Sequence, residues 1–167
     1  MRDKNWLTKI PPSPSHGSNL LQQRYWRVVS DFVRIRDFEK YGACIACGKR
    51  FNSWKESQAG HYKSWAVCRG FSKYDTKNIF AECAYCNTGF NGNEVGANFK
   101  EGIIRRYGKK RITYIDELTK YPTEKLDEDR IIEGIKSTIK KLSTVKEKPD
   151  YFSKIKWAIG RKQKTCK

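Results

Sequence analysis

Apolar side chains recur at three- and four-residue steps through Leu21, Tyr25, Val28, Val29, Phe32 and Ile35, the spacing that lines one face of an α-helix. Ser18 or Asn19 offers an N-cap for this helix and Gly42 a stop. Arg24, Arg27, Arg34 and Arg36 fall largely off the apolar stripe and are available to solvent or phosphate. Upstream, Pro11-Pro12-Ser13-Pro14 cannot hold a helix, so residues 1–17 read as a flexible basic leader with a Pro/Ser-rich link. Residues 43–93 lose the helical period and carry Gly, Asn and most of the Cys; short β-segments and loops are predicted there. Helical spacing resumes over 94–107, stopped by Gly108, and over 111–121, stopped by Pro122. A longer helix is predicted from near residue 123, carrying Leu126, Ile131, Ile132, Ile135, Ile139, Leu142 and Val145, with a short one around 152–159. The pattern predicts an α+β chain in three parts: a leader at 1–17, a mixed domain with flanking helices at 18–121, and a basic helical extension at 122–167.

Charge narrows the choice of partner. The 167 residues carry 35 Lys+Arg against 18 Asp+Glu, a formal net charge of +17, and a polyanion is the usual reason for such a surface. Five Trp, nine Tyr and eight Phe supply a core, which excludes disorder throughout. No apolar run approaches the roughly 18–20 residues of a membrane span, and no export signal is legible at the start of the chain. A cytoplasmic, nucleic-acid-facing protein is the expectation, with no membrane partner. Lys100, Arg105, Arg106, Lys109, Lys110 and Arg111 form one basic cluster, and a second basic region runs from Lys136 onward. Between them Asp116, Glu117, Glu124, Asp127, Glu128, Asp129 and Glu133 make an acidic island, suited to pairing internally or across a dimer.

The cysteines bring in chemistry. Cys44 and Cys47 form one Cys-x-x-Cys pair, and Cys83 and Cys86 another. Thiols so spaced in a chain without an export signal suit one tetrahedral zinc better than a disulfide or a redox pair. Cys68 reads as a lone buried thiol, Cys166 as a free thiol and His16 as inert. The pairs are far enough apart to hold something of their own between them, and His61, after Gly60, lies there. Asn87 directly follows the last thiol. Phosphodiester cleavage needs a base near neutral pKa, which histidine supplies, and a divalent cation against the developing charge. Mg²⁺ or Mn²⁺ takes oxygen ligands and keeps several waters, so the Asn87 amide oxygen suffices as one ligand. Lys55, Lys63, Arg69, Lys73 and Lys77 surround this segment as candidate phosphate contacts. Trp54 and Trp65 read as packing more readily than as base-stacking residues.

Phe32-Val33-Arg34-Ile35-Arg36-Asp37, the Gly42-to-Gly48 knuckle, Ala59-Gly60-His61-Tyr62 and the run from Asn78 to Cys83, Cys86 and Asn87 together resemble the lambdoid-phage NinG (Rap) recombination endonucleases. These are grouped with the HNH, or ββα-metal, nucleases. Gly92-Asn93 and Ile104, Tyr107 and Gly108 continue the resemblance, which runs over residues 20–118. It implies a zinc-stapled ββα-metal core, with His61 as general base on the first hairpin strand. Asn78 would steady the site or orient His61, and Asn87 would ligate the catalytic cation. The implied substrates are Holliday junctions and D-loops in a bacterial host cell. Symmetric junction cutting implies a homodimer, for which the 123–145 helix is a candidate interface. Where many such enzymes carry an Asp before the base, this chain has Gly60. Either Asn87 and substrate phosphates alone hold the cation, as in the related His-Cys box homing nucleases, or a carboxylate from elsewhere joins them. Glu82 and Asp75 are the nearest candidates, although Glu82, beside a zinc thiol, also reads as facing solvent. A non-catalytic zinc-dependent DNA-binding or scaffolding protein fits the charge and the knuckles equally well, and an RNA-binding zinc protein is a third reading. His61 and Asn87 separate the first reading from these.

Overall fold

The computed structural model describes residues 4–13, 17, 19–88, 92–120 and 126–156, with the backbone alone at 92–95. It is a mixed α+β chain: α1 Leu20–Tyr41, β1 Gln58–His61, β2 Ile79–Glu82, α2 Ala84–Asn87, α3 Gly92–Tyr107, α4 Lys109–Lys120, α5 Glu128–Leu142 and α6 Phe152–Ile155. Single 3-10 turns at Asn5–Lys9, Trp54–Glu56 and Gly70–Tyr74 complete it. No helix among the described residues is long and apolar enough to cross a membrane.

The helices begin and end where local chemistry dictates. Asn19 caps α1, its side-chain oxygen accepting from the Gln22 amide at 2.9 Å; Ser18 lies outside the described residues. Gly42 and Gly108, at φ +58° and +81°, end α1 and α3 in a backbone conformation that a side chain resists. The predicted 123–145 helix is shorter than its apolar period. Asp127 caps α5 by accepting from the Arg130 amide at 2.8 Å, so Leu126 stands outside it, and α5 ends at Leu142, leaving Val145 in the turn beyond. Residues 121–125 and 157–167 lie outside the described residues, and with them the far end of the predicted 152–159 helix, Cys166, and His16 of the leader.

The chain packs as two compact units, the described residues through Phe32 with those from Asp127 on, and those of Val33–Leu126. In the first unit, Trp6, Leu7 and Ile10 of the predicted leader are buried. Ile131, Ile132, Ile135, Ile139 and Leu142 of α5 are buried as well. The apolar face of α5 is thus consumed within its own unit. Tyr151 donates to Asp31 at 3.0 Å inside this core. Within the acidic island, Asp116 pairs with Lys63, Glu117 with Lys120 and Glu128 with Lys4.

The second unit holds the hairpin. β1 and β2 pair antiparallel, Gln58 opposite Glu82, Ala59 opposite Ala81, Gly60 opposite Phe80 and His61 opposite Ile79. Two four-residue strands are too little to stand alone in water, and they lie among Cys44, Ile45, Phe51, Phe80, Phe99, Ile103 and Ile115. Gly102 lets α3 close on the first knuckle, since a Cβ there would meet the Ile45 carbonyl oxygen at 2.0 Å. The arginines off the α1 stripe work inside the protein. Arg34 donates to the carbonyls of Trp54 and Lys55, and Arg36 to those of Thr76 and Ile79. In the first unit, Arg24 donates to Ile10.

Asp37 is the polar anchor of the second unit. Fully buried, it accepts from the Ala81 amide on β2 at 2.9 Å, from Tyr107 Oη at 2.8 Å and from Arg36 Nε at 2.7 Å. The Ala81 carbonyl, in turn, accepts from the Ile45 amide at 3.0 Å, so the side of β2 away from β1 is satisfied. Truncating Asp37 removes the acceptor of an amide, a phenol and the Arg36 Nε together. Asp37→Ala is expected to lose about 3–5 kcal/mol in urea unfolding followed by Trp fluorescence; a loss under about 1 kcal/mol contradicts this role.

Candidate functional site

The first knuckle follows Gly42 directly. The Cys44 amide donates to the Lys49 carbonyl at 2.8 Å and the Gly48 amide to the Cys44 carbonyl at 3.1 Å, curling the backbone so that Cys44 and Cys47 face one point. The second knuckle ends β2 and opens α2, with Cys83 as the residue before the helix and the Asn87 amide donating to the Cys83 carbonyl at 3.0 Å. The sulfurs of Cys44, Cys47, Cys83 and Cys86 all lie within 4.8 Å of one another, and Cys47 and Cys83 stand 3.7 Å apart. Zinc–sulfur bonds of about 2.3 Å in a tetrahedron require sulfurs about 3.8 Å apart. The cluster fits zinc.

Burial pushes the Cys44 thiol up to about 11 and raises Cys86 as well. Burial acts the same way on Cys83, but hydrogen bonds from the backbone and thiol of Cys86 and from the thiols of Cys47 and Cys44 hold it below the usual thiol range. A divalent cation relieves this conflict by replacing the protons. Arg106, expected at phosphate, is turned onto the knuckle instead. Its guanidinium donates to the carbonyls of Ala43 and Cys44 at 3.1 and 2.9 Å.

Between the knuckles, His61 ends β1, half-buried. Its Nε2 lies 2.8 Å from the Lys73 carbonyl oxygen, which can only accept, so Nε2 carries a proton and, in the neutral imidazole, Nδ1 has the lone pair. The Trp65 ring meets the imidazole edge-on at 5.5 Å between centroids, and Tyr74 meets Trp65 in turn at 5.4 Å. Trp65 thus packs, as does Trp54, buried beneath the Arg34 guanidinium at 4.7 Å. Asn78 is wholly buried and clamps the chain just past His61. Its Oδ1 accepts from the Lys63 amide at 2.8 Å, and its Nδ2 donates to the Lys63 carbonyl at 3.0 Å and to Cys68 Sγ at 3.3 Å. Cys68 is the lone buried thiol expected, raised by burial.

Successive side chains of a strand point to opposite faces, so Gly60 looks away from the His61 side. Its face holds Asn87, whose Nδ2 donates to Gln58 Oε1 at 2.7 Å. It also holds Glu82, which is 2 % exposed, with Oε1 lacking any partner. Burial, with the Cys83 sulfur beside it, pushes this carboxyl up to about 8. The orphaned carboxylate and the Asn87 amide oxygen form a donor set that suits a hard divalent cation. Asp75, the other carboxylate considered, is engaged by Tyr114 Oη at 2.6 Å and the Lys77 amide at 2.7 Å. Sequence reasoning gave Gln58 and Asp37 no role; the Asp37 motif was legible, but its reach to β2 was not.

Among the predicted phosphate contacts, Lys55, Arg69, Lys77, Arg105, Lys109 and Lys110 are exposed. Lys63 pairs with Asp116 at 2.9 Å. Lys73 lies over Trp65 and Lys77 over Tyr114 at 4.9 and 4.3 Å, and Arg111 lies over Tyr107 at 4.6 Å.

The family profile described as "Bacteriophage Lambda NinG protein" matches residues 16–148. Over 120 residues the chain is 29% identical to "Protein ninG" of Escherichia phage 933W, covering 69% of this chain and 52% of that protein. Over 104 residues it is 31% identical to "Protein ninG" of Salmonella phage P22, covering 59% and 46%. The chain thus spans about half the length of the curated relatives it matches. No solved structure matches it.

The cluster sets an expectation for metal content. Protein prepared with zinc carries one zinc per chain by atomic absorption, and its cobalt(II) form shows the intense sulfur-to-metal absorption of a tetrahedral thiolate site. Cys44→Ser and Cys83→Ser lose the metal and the cooperative unfolding transition. A Cys44→Ser chain with full zinc content contradicts the assignment.

Proposed function

Because the chain belongs to the NinG family of lambdoid phages, we propose that it is a metal-dependent DNA endonuclease with an HNH-like core. Its substrates are branched recombination intermediates, Holliday junctions and D-loops, in the cytoplasm of the bacterial host. The observation that carries this reading is the pair of adjacent positions at the end of β1. His61 is fixed with its lone pair on Nδ1 by the Lys73 carbonyl, and Gly60 faces the Asn87 amide oxygen beside the zinc knuckle.

Among the described residues β1 pairs only with β2, so its other edge has no strand partner there. A phosphodiester across that edge would have the imidazole on one flank and the oxygen ligands on the other. His61 Nδ1 takes a proton from water as the water oxygen attacks phosphorus. The bond from phosphorus to the 3′-oxygen breaks, and that oxygen takes a proton from solvent water, leaving a 5′-phosphate and a 3′-hydroxyl. Mg²⁺ or Mn²⁺, when bound, neutralises charge on the phosphate and the departing oxygen. Asn78 acts as a positioning residue through the backbone that follows His61, and the thiolate zinc acts by holding Asn87 in place. Two copies acting on one junction would supply the two symmetric cuts.

The test is cleavage of branched and supercoiled DNA with and without EDTA. His61→Ala, folded and zinc-loaded, is expected to cut about 10²–10⁴-fold more slowly; cleavage at the wild-type rate refutes the assignment. A wild-type protein that binds branched DNA yet never nicks it, with either cation, is instead a zinc-dependent DNA-binding protein. Exchanging the exposed Lys109 and Lys110 for Ala should weaken binding to all DNA sequences alike. It should also lower the slope of log K against log salt by about 0.9 for each phosphate no longer neutralised; an unchanged slope removes them from the interface.

A further inference from the structure

Glu82 ends β2 almost wholly out of water, at 2 % exposure. Its Oε1 has no hydrogen-bond partner, and no cationic side chain pairs with the carboxylate among the described residues. An ionised carboxylate buried there calls for a cationic partner. Its other oxygen, Oε2, occupies the space in front of Gly60, where a Cβ would lie 1.6 Å from it. The same Cβ would stand 2.7 Å from Asn87 Oδ1. Gly60 does not adopt the left-handed backbone that calls for glycine, so the two oxygens, rather than the backbone, demand that position 60 be bare.

The Asn87 oxygen is turned toward this space for a reason. Its Nδ2 is committed to Gln58 Oε1 at 2.7 Å, which directs Oδ1 to the Gly60 side. Gln58 stands opposite Glu82 in the hairpin register, so one cross-strand pair carries both the carboxylate and the residue that aims the amide. A carboxylate and an amide oxygen, with the remaining positions left to water and phosphate, are what Mg²⁺ or Mn²⁺ takes from a protein.

We propose that Glu82 and Asn87 Oδ1 together ligate a divalent cation in front of Gly60, the carboxylate arriving from β2 rather than from β1. This specifies the cation shell of the nuclease reading and rests on that reading for its purpose, though not for the binding itself. Gly60 is then part of the site, as the gap through which a carboxylate from the neighbouring strand reaches the cation.

The experiment is a titration of the zinc-loaded full chain with Mn²⁺, following loss of the free-ion signal by electron paramagnetic resonance. Zinc content and circular dichroism are checked for each variant. Wild type is expected to bind one Mn²⁺ per chain beyond the zinc. Glu82→Gln should weaken that binding at least tenfold. Gly60→Ala, which keeps every ligand but places a methyl group in the gap, should weaken it similarly. The double variant Gly60→Asp with Glu82→Ala moves the carboxylate to β1 and should regain Mn²⁺ binding relative to Glu82→Ala alone. Wild type that takes up no Mn²⁺, or Glu82→Gln that binds it as tightly as wild type, overturns the proposal. Cleavage assays on the same samples separate the two readings. Mn²⁺ held through Glu82 without any DNA cutting removes the nuclease and leaves the cation site. Cutting by a protein whose Mn²⁺ binding ignores Glu82 removes the cation site and leaves the nuclease.

Discussion

Four thiols drawn to one point hold this protein's second unit in register. The sulfurs within 4.8 Å of one another come from two stretches of chain separated by the whole hairpin. Joining them fixes the first knuckle, behind α1, against the second, in front of α2. A sheet of two four-residue strands buries too little to resist unfolding alone, and three of the four thiols are buried. Filled with a divalent metal, the cluster turns buried thiols from an electrostatic burden into bonds of several kcal/mol each, on the order of 10–16 kcal/mol for a whole site of this kind. Cys86 is one of the four thiols that could hold the metal, and the next residue, Asn87, turns its amide oxygen toward the face of Gly60.

Two polar clamps extend that rigidity to the strands. Asp37 satisfies the Ala81 amide on the side of β2 away from β1, while Arg36 holds the carbonyls at Thr76 and Ile79 where the chain enters that strand. Asn78 then ties the backbone just past His61 to the start of β2 by two hydrogen bonds to Lys63, with a third to Cys68 Sγ. The imidazole is oriented by one further bond, to the Lys73 carbonyl. The Asn87 amide is aimed by a side chain instead, Gln58, so backbone clamps and side-chain contacts share the positioning of the candidate site.

Much of this was legible in the sequence, because much of it is local. The three- and four-residue apolar steps found α1, α3, α4 and the middle of α5, and Gly42 and Gly108 marked their stops as positive-φ residues. The Cys-x-x-Cys spacing brought four thiols together correctly because a knuckle is a local turn. What escaped was non-local. Charge off the α1 stripe read as surface, yet Arg34 and Arg36 reach carbonyls some twenty and forty residues away, since a long guanidinium can serve buried backbone. Arg106 read as a phosphate contact and is a knuckle support for the same reason. The apolar period of α5 overran its true start because Asp127, a short acceptor, caps the helix after Leu126. Glu82 was visible as a residue beside a zinc thiol; that it fills the gap over Gly60 depends on the hairpin register.

We propose that one folded unit places a thiolate zinc, an oxygen-ligated cation and a histidine base around β1. Anomalous diffraction from crystals grown with zinc, Mn²⁺ and a branched DNA tests it directly. The account predicts zinc at the four sulfurs of Cys44, Cys47, Cys83 and Cys86, and manganese between Asn87 and Glu82. It also places a phosphate within hydrogen-bonding reach of His61 through one water. Manganese bound elsewhere, or DNA lying away from β1 with His61 facing no phosphate, contradicts it.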